Sequence, residues 1–72
     1  MGHDHLIVVE PVDGGWRVGC DEMQPLMFLS GGRAEAQARL IARCLTRLGD
    51  DARVIVHDRD RGLVGAHRYF AE

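Results

Sequence analysis

One stretch with helical periodicity, Arg33–Leu48, stands between two pairs of strand-like segments, and together these occupy nearly all of the 72 residues. At about 100° per residue, Ala34, Ala38, Ile41, Leu45 and Leu48 fall on one stripe flanked by Ala42 and Cys44, and Arg39, Arg43 and Arg47 take the opposite side. A single amphipathic helix can only be buried against a sheet. The pattern therefore predicts an α+β fold of two layers, an antiparallel sheet of four to five strands packed on one helix in the order β-β-(β)-α-β-β. A chain of this length is one domain, 1–72, with residues 1–4 expected to fray.

The strands are set by β-branched content and by turn residues. His5–Glu10 carries Ile7, Val8 and Val9, and Asp13-Gly14-Gly15 supplies the hairpin that returns the chain through Trp16–Cys20. Pro25 is expected to break the connection ahead of a short edge strand, Leu26–Leu29. Either Ser30 or Gly32 can cap the helix; with Gly32 as cap, Glu35 occupies the third helical position, where a carboxylate favours the positive end of the dipole. Gly49 ends the helix as a left-handed residue. Ala52–His57, with Val54-Ile55-Val56 at its centre, and Leu63–Phe70 complete the sheet across a 58–62 loop.

Leu6–Val9, Met27–Leu29 and Val54–Val56 are apolar at both parities. Adjacent residues of a strand face opposite ways, and one helix covers one face, so apolar side chains must also lie on the uncovered side. A symmetric dimer hides such a face, and Ile7, Val9, Met27 and Ile55 are the expected self-association surface. With 46% apolar and 28% charged residues the chain has the composition of a folded domain, and its longest apolar runs of four residues are far too short to span a bilayer. A net charge of −2 gives no overall attraction to nucleic acid or acidic membranes. Two cysteines make no disulfide framework; Cys44, at the edge of the helix stripe, is expected as a reduced, packed thiol, and the setting as cytoplasmic.

The residues in sequence, His5-Leu6-Ile7-Val8, Gly15-Trp16-Arg17-Val18, Phe28, Glu35-Ala36 at the helix start, and Val54-Ile55-Val56-His57 before Asp60-Arg61-Gly62, resemble the bacterial domain of unknown function 2188 family over His5 to Phe70. The resemblance implies a compact strand-pair, helix, strand-pair fold and no established activity. Two turns depart from the family pattern: Gly32 stands where members carry Thr or Ser, and Arg61 interrupts the final Asp-Gly.

Four groupings bear on chemistry. Gly2-His3-Asp4-His5 offers imidazole and carboxylate donors for a transition metal, and with Met1 retained its amine and His3 could complete a square-planar site; a solvated terminus explains the same residues. His57, Asp58 and Asp60 could hold a hard cation or act catalytically, with His67 approaching His57 across the hairpin, but Asp and Gly at a loop are turn formers first. Ser30 and Thr46 are the sole hydroxyl side chains other than Tyr69, and no nucleophile–base spacing or phosphate-binding glycine loop is present, so an enzyme is not expected. Arg39, Arg43 and Arg47 line one helix face at spacing four, where they could clamp phosphates or an acidic protein, or serve as a solvated face with Arg39 paired to Glu35. The leading expectation is a non-enzymatic interaction module without cofactor or metal, its partner itself or another protein. The alternative is a nucleic-acid-binding accessory protein using the arginine row.

Overall fold

In the computed structural model, which describes residues 2–21, 23–60 and 62–72, the chain forms β1 (Asp4–Val12), β2 (Gly15–Cys20), β3 (Met23–Phe28), α1 (Gly31–Arg47), β4 (Asp51–His57) and β5 (Leu63–Tyr69). Met1 and Arg61, used in the sequence reading, lie outside the described residues. The five strands make one sheet in the order β3-β2-β1-β4-β5, with α1 on one face. The two-layer α+β architecture and the element order are those read from the sequence. The sheet, however, is mixed: β1 and β4 run parallel while the other three pairs are antiparallel. The reason lies in the connection. Two hairpins return β3 to the direction of β1, and the helix then carries the chain back over the sheet, so β4 starts at the same end as β1.

β1 is the central strand. Ile7 lies beside Cys20 on one side and Val54 on the other, and Val9 beside Val18 and Val56. All of these residues are buried beneath the helix. Ile7 and Val9, expected on the self-association surface, are 0% exposed and belong to this core. Their parity, set by the register with Val54 and Val56, places them on the covered side. Fully burying each such side chain contributes on the order of 1.5–3 kcal/mol.

The helix contacts the sheet through a narrower edge than its large residues suggest. Ala34, Ala38, Ala42 and Thr46, at spacing four, are its buried positions, and Ile41 and Leu45 flank them, half-buried. Small side chains bring the helix axis close, so that the branched side chains of the sheet fill the space between layers. Leu48 is the C-cap and 77% exposed, and Cys44 is exposed, so neither joins the core as the stripe predicted. Leucines outweigh alanines on any hydrophobicity scale and pull the apparent stripe away from the alanine edge. The Thr46 hydroxyl is satisfied by donating to the Arg43 carbonyl at 2.8 Å.

Ser30, in extended conformation, is the N-cap, its hydroxyl accepting the Arg33 N–H at 3.2 Å. Glu35 therefore sits beyond the first turn and pairs with Arg39 at 3.6 Å instead of capping. Gly14 (φ 81°) and Gly49 (φ 94°) take the left-handed turns expected after β1 and α1. Pro25 lies within β3, which begins two residues before it. An edge strand with a register shift opposite Val18–Cys20 tolerates a residue without an N–H. The termini are held. Asp4 is already paired with Asp51, the His3 carbonyl accepts the Asp51 N–H at 2.8 Å, and a Cβ on Gly2 would lie 2.7 Å from the Gly49 carbonyl. Residues 2–4 thus pack on the start of β4 and the helix exit, where a frayed end was expected. At the other end, Glu72 N–H donates to the Thr46 carbonyl and Ala71 N–H to Asp51 Oδ1.

If the alanine edge sets the layer spacing, Ala38→Leu lowers unfolding free energy by about 1–3 kcal/mol in equilibrium urea titration, whereas Leu48→Ala changes it by less than about 0.5 kcal/mol.

Candidate functional site

The start of β1, the end of β2 and the helix exit meet at a cleft of about 640 Å³. His5 lies two positions before Ile7 and so shares its covered face. After α1, Gly49 turns the chain and delivers Asp50, whose Oδ1 accepts the His3 N–H at 3.0 Å and whose Oδ2 lies 2.8 Å from His5 Nε2. On the other side of the ring, Asp21 follows β2 at φ 36°, a left-handed conformation that aspartate tolerates better than most residues. Its Oδ2 contacts His5 Nδ1 and lies 3.9 Å from Cys20 Sγ. His3 stands edge-on with ring centroids 6.3 Å apart, and Ile41 and Leu45 form the apolar wall.

The imidazole therefore has a carboxylate at each nitrogen, an arrangement satisfied when both nitrogens carry protons. The hydrogen bond to Asp50, and then that to Asp21, hold the His5 pKa above its ordinary 6.5. The His3 N–H, followed by His5, holds Asp50 below its ordinary 3.8. Burial, and next the charge of Asp21, push the Cys20 thiol upward.

The sequence points at His3, Asp4 and His5 as a local cluster; His3 and His5 do lie together, but strand alternation directs Asp4 toward Arg53. Asp4 lies 3.7 Å from Arg53, whose neighbours lie on the open face of the sheet. The partners of His5 come from sixteen and forty-five residues away. A signal for them existed in Cys20-Asp21 at the end of β2 and Asp50 after the helix-ending Gly49, but only the sheet order links them.

The open face is the second feature. Val8 sits beside Gly19 and Ile55, and Ile55 beside Ala66, giving an apolar centre that Leu6 extends, while Met27 shares the face from β3 but lies beyond Arg17, whose guanidinium packs at Gly19. Met27 is 60% exposed and Ile55 half-buried, so these two of the four expected surface residues lie on this face. Charges frame the centre: Glu10 with Arg17 at 3.5 Å toward one end, Asp4 with Arg53 toward the other. Arg53 and Arg68 are directly opposite one another on neighbouring strands.

Arg39, Arg43 and Arg47 are all exposed, on the outer side of the helix, and Glu35 engages Arg39. In the 58–62 loop, Asp58 Oδ1 accepts the N–H groups of Asp60 (3.0 Å) and Gly62 (2.7 Å), so Asp58 is a turn former. Arg59 reaches back to the β1–β2 hairpin, donating to the carbonyls of Val12 and Gly15 and lying 5.5 Å from the Trp16 ring centroid. His67 pairs with Val54 and His57 with Leu63, so the two histidines are not neighbours across the hairpin. Cys20 and Cys44 are free thiols, and no helix among the described residues is long and apolar enough to cross a membrane.

No family model matches this chain, and no curated protein or solved structure does.

The carboxylate–imidazole–carboxylate arrangement links stability to pH. A raised His5 pKa contributes stability that is complete below 6.5 and fades as pH rises through the folded value. A lowered Asp50 pKa contributes above 3.8 and is lost as pH falls through its folded value. Chelator-treated protein is expected to lose thermal stability from about pH 6 to about pH 8, and His5→Gln to flatten that slope in the same melting experiment.

Proposed function

We propose that this chain is a small non-enzymatic interaction module that pairs with a second copy of itself across the open face of its sheet. The supporting observation is the apolar centre formed by Val8, Ile55, Ala66 and Leu6 on the face opposite the helix, with exposed Met27 on the same face beyond Arg17. Water-exposed aliphatic side chains contiguous over three or more strands gain free energy from any cover of matching shape.

A second copy fits this face by charge as well as by polarity. A two-fold axis lying across the strands at Val8 and Ile55 stacks the β1 strands antiparallel. Glu10 of one copy then approaches Arg53 and Arg68 of the other, and Arg17 approaches the end that carries Asp4. Within one protomer Asp4 pairs with Arg53 while Arg68 lies directly opposite, and a further carboxylate from the second copy offsets the remaining positive charge. Five strands about 4.8 Å apart, most of them six or seven residues long, give a face on the order of 500 Å² in plan. Two of these bury about 1,000 Å², near the lower limit for a specific interface, so the dimer is expected to exchange with monomer rather than be permanent.

Cys20, the thiol nearest an imidazole and a carboxylate, is buried and its pKa is pushed up by burial and next by the charge of Asp21, which disfavours the nucleophilic thiolate and supports a non-enzymatic role. Two free thiols, one exposed, support a reducing, cytoplasmic setting. Descent from the domain of unknown function 2188 family is part of the same proposal. The arginine row offers less support for nucleic acid, because Arg39 is engaged by Glu35 and the chain's net charge is −2.

Sedimentation equilibrium at concentrations up to on the order of 100 µM, where an interface of this size is populated, tests the reading. Wild type is expected to exceed the 8.0 kDa protomer mass and approach twice that value with concentration. Ile55→Arg is expected to remain monomeric, and Leu40→Arg, on the outer side of the helix, to associate as wild type does. A mass of 8.0 kDa at every concentration, or undiminished association of Ile55→Arg, overturns it.

A further inference from the structure

The His5 cleft brings together three different donor types from distant parts of the chain. An imidazole nitrogen of His5, Cys20 Sγ and a carboxylate oxygen of Asp21 all lie within 4.8 Å of one another. Tetrahedral coordination at bond lengths of about 2.0–2.3 Å places ligand atoms about 3.3–3.8 Å apart, so the hydrogen-bonded His5–Asp21 pair has to open to admit an ion while the Cys20 sulfur closes by about 1 Å or less. Asp21 supplies the freedom for that rearrangement, since its side chain is 42% exposed, while Cys20 is anchored in the core.

We propose that His5 Nδ1, Cys20 Sγ and Asp21 form a three-donor site for a zinc-like divalent cation, with Asp50 orienting the imidazole from behind. Asp50 stands where an outer-shell carboxylate is needed: its Oδ2, 2.8 Å from His5 Nε2, fixes the tautomer that leaves the Nδ1 lone pair facing Asp21 and Cys20. Nitrogen, sulfur and oxygen donors together select a borderline ion over calcium or magnesium, which take oxygen alone. Without metal, the proton on Nδ1 holds Asp21 against the ring. A divalent ion takes the place of that proton and of the thiol proton, and both are released to solvent. Three protein donors leave a fourth position open to the cleft, for water or an exogenous ligand.

The ion would tie the first residues of β1 to the β2–β3 turn on the covered side of the sheet. His5 lies on the opposite side from the pairing face, and Asp21, at the turn, borders both sides of the sheet.

Cobalt(II) titration of the reduced, chelator-treated full chain, followed by absorption, tests the assignment. The expected result is one Co²⁺ per chain, with tetrahedral d–d bands and a thiolate-to-cobalt charge-transfer band, displaced by Zn²⁺. Cys20→Ser is expected to lose the thiolate band, Cys44→Ala to keep it, and Asp50→Asn to weaken binding about 10–100-fold. Because Cys20 is buried and its substitution could unfold the chain, Asp21→Asn at the exposed turn is the second variant, expected to weaken binding at least about 10-fold with an unchanged circular dichroism spectrum. A six-coordinate cobalt spectrum without the thiolate band overturns the proposal. So does wild-type affinity in Asp21→Asn, or binding that needs His3 or Cys44 but not His5.

Discussion

The contact between the Ala34-Ala38-Ala42-Thr46 edge of α1 and the Ile7, Val9, Val18 and Val54 surface of the sheet determines the rest of this structure. Both sides are needed. Branched side chains on adjacent strands make a ridged surface, and methyl-sized side chains on the helix let it settle into that surface at close range. Because the helix is single, this contact also divides the sheet into two unlike faces. One is dry and filled; the other combines an aliphatic centre with charged pairs at its ends. Exposed ion pairs such as Glu10–Arg17 and Asp4–Arg53 each contribute at most about 1 kcal/mol, so the open face adds little to folding and is available for association.

Much of the architecture was legible in the sequence because it depends on local signals. Asp13-Gly14, Gly49 and the β-branched runs place β1, β2, β4 and β5 within a residue or two, whereas β3, which has no such run, starts three residues before the expected Leu26, and the lone amphipathic segment fixes the two-layer arrangement. Parity was less legible. In a run such as Ile7-Val8-Val9 every residue is aliphatic, so nothing local says which side faces the helix, and Ile7 and Val9 were placed on the wrong face. The register against Val54 and Val56 decides it, through a pairing between segments more than forty residues apart. The helix rotation failed for a related reason: Leu48 and Cys44 look apolar, but the packing requirement was for small size rather than for hydrophobicity.

The His5 cleft illustrates the same limit for chemistry. A histidine in a terminal Gly-His-Asp-His run suggests neighbours in sequence as its partners, whereas strand geometry turns Asp4 away and admits Asp21 and Asp50. Both acidic residues sit just after an element ends, at the left-handed Asp21 and after the left-handed Gly49. Turn chemistry and site chemistry are thus the same residues. The cleft opens on the helix side and the apolar centre faces away from it, with Asp21 at the sheet edge between them.

The claim that joins these observations is that α1 covers one side of the sheet and a second protomer covers the other. Isotope-filtered nuclear Overhauser spectroscopy on a mixture of ¹³C-labelled and unlabelled chains reads this at the level of single methyl groups. Cross-protomer contacts at Val8, Ile55 and Met27, with none at Ile7, Val9 or the helix alanines, are what the account predicts. Cross-protomer contacts that centre on Leu40, Leu48 or the arginine row, or their absence from the open face at concentrations where dimer is present, would contradict it.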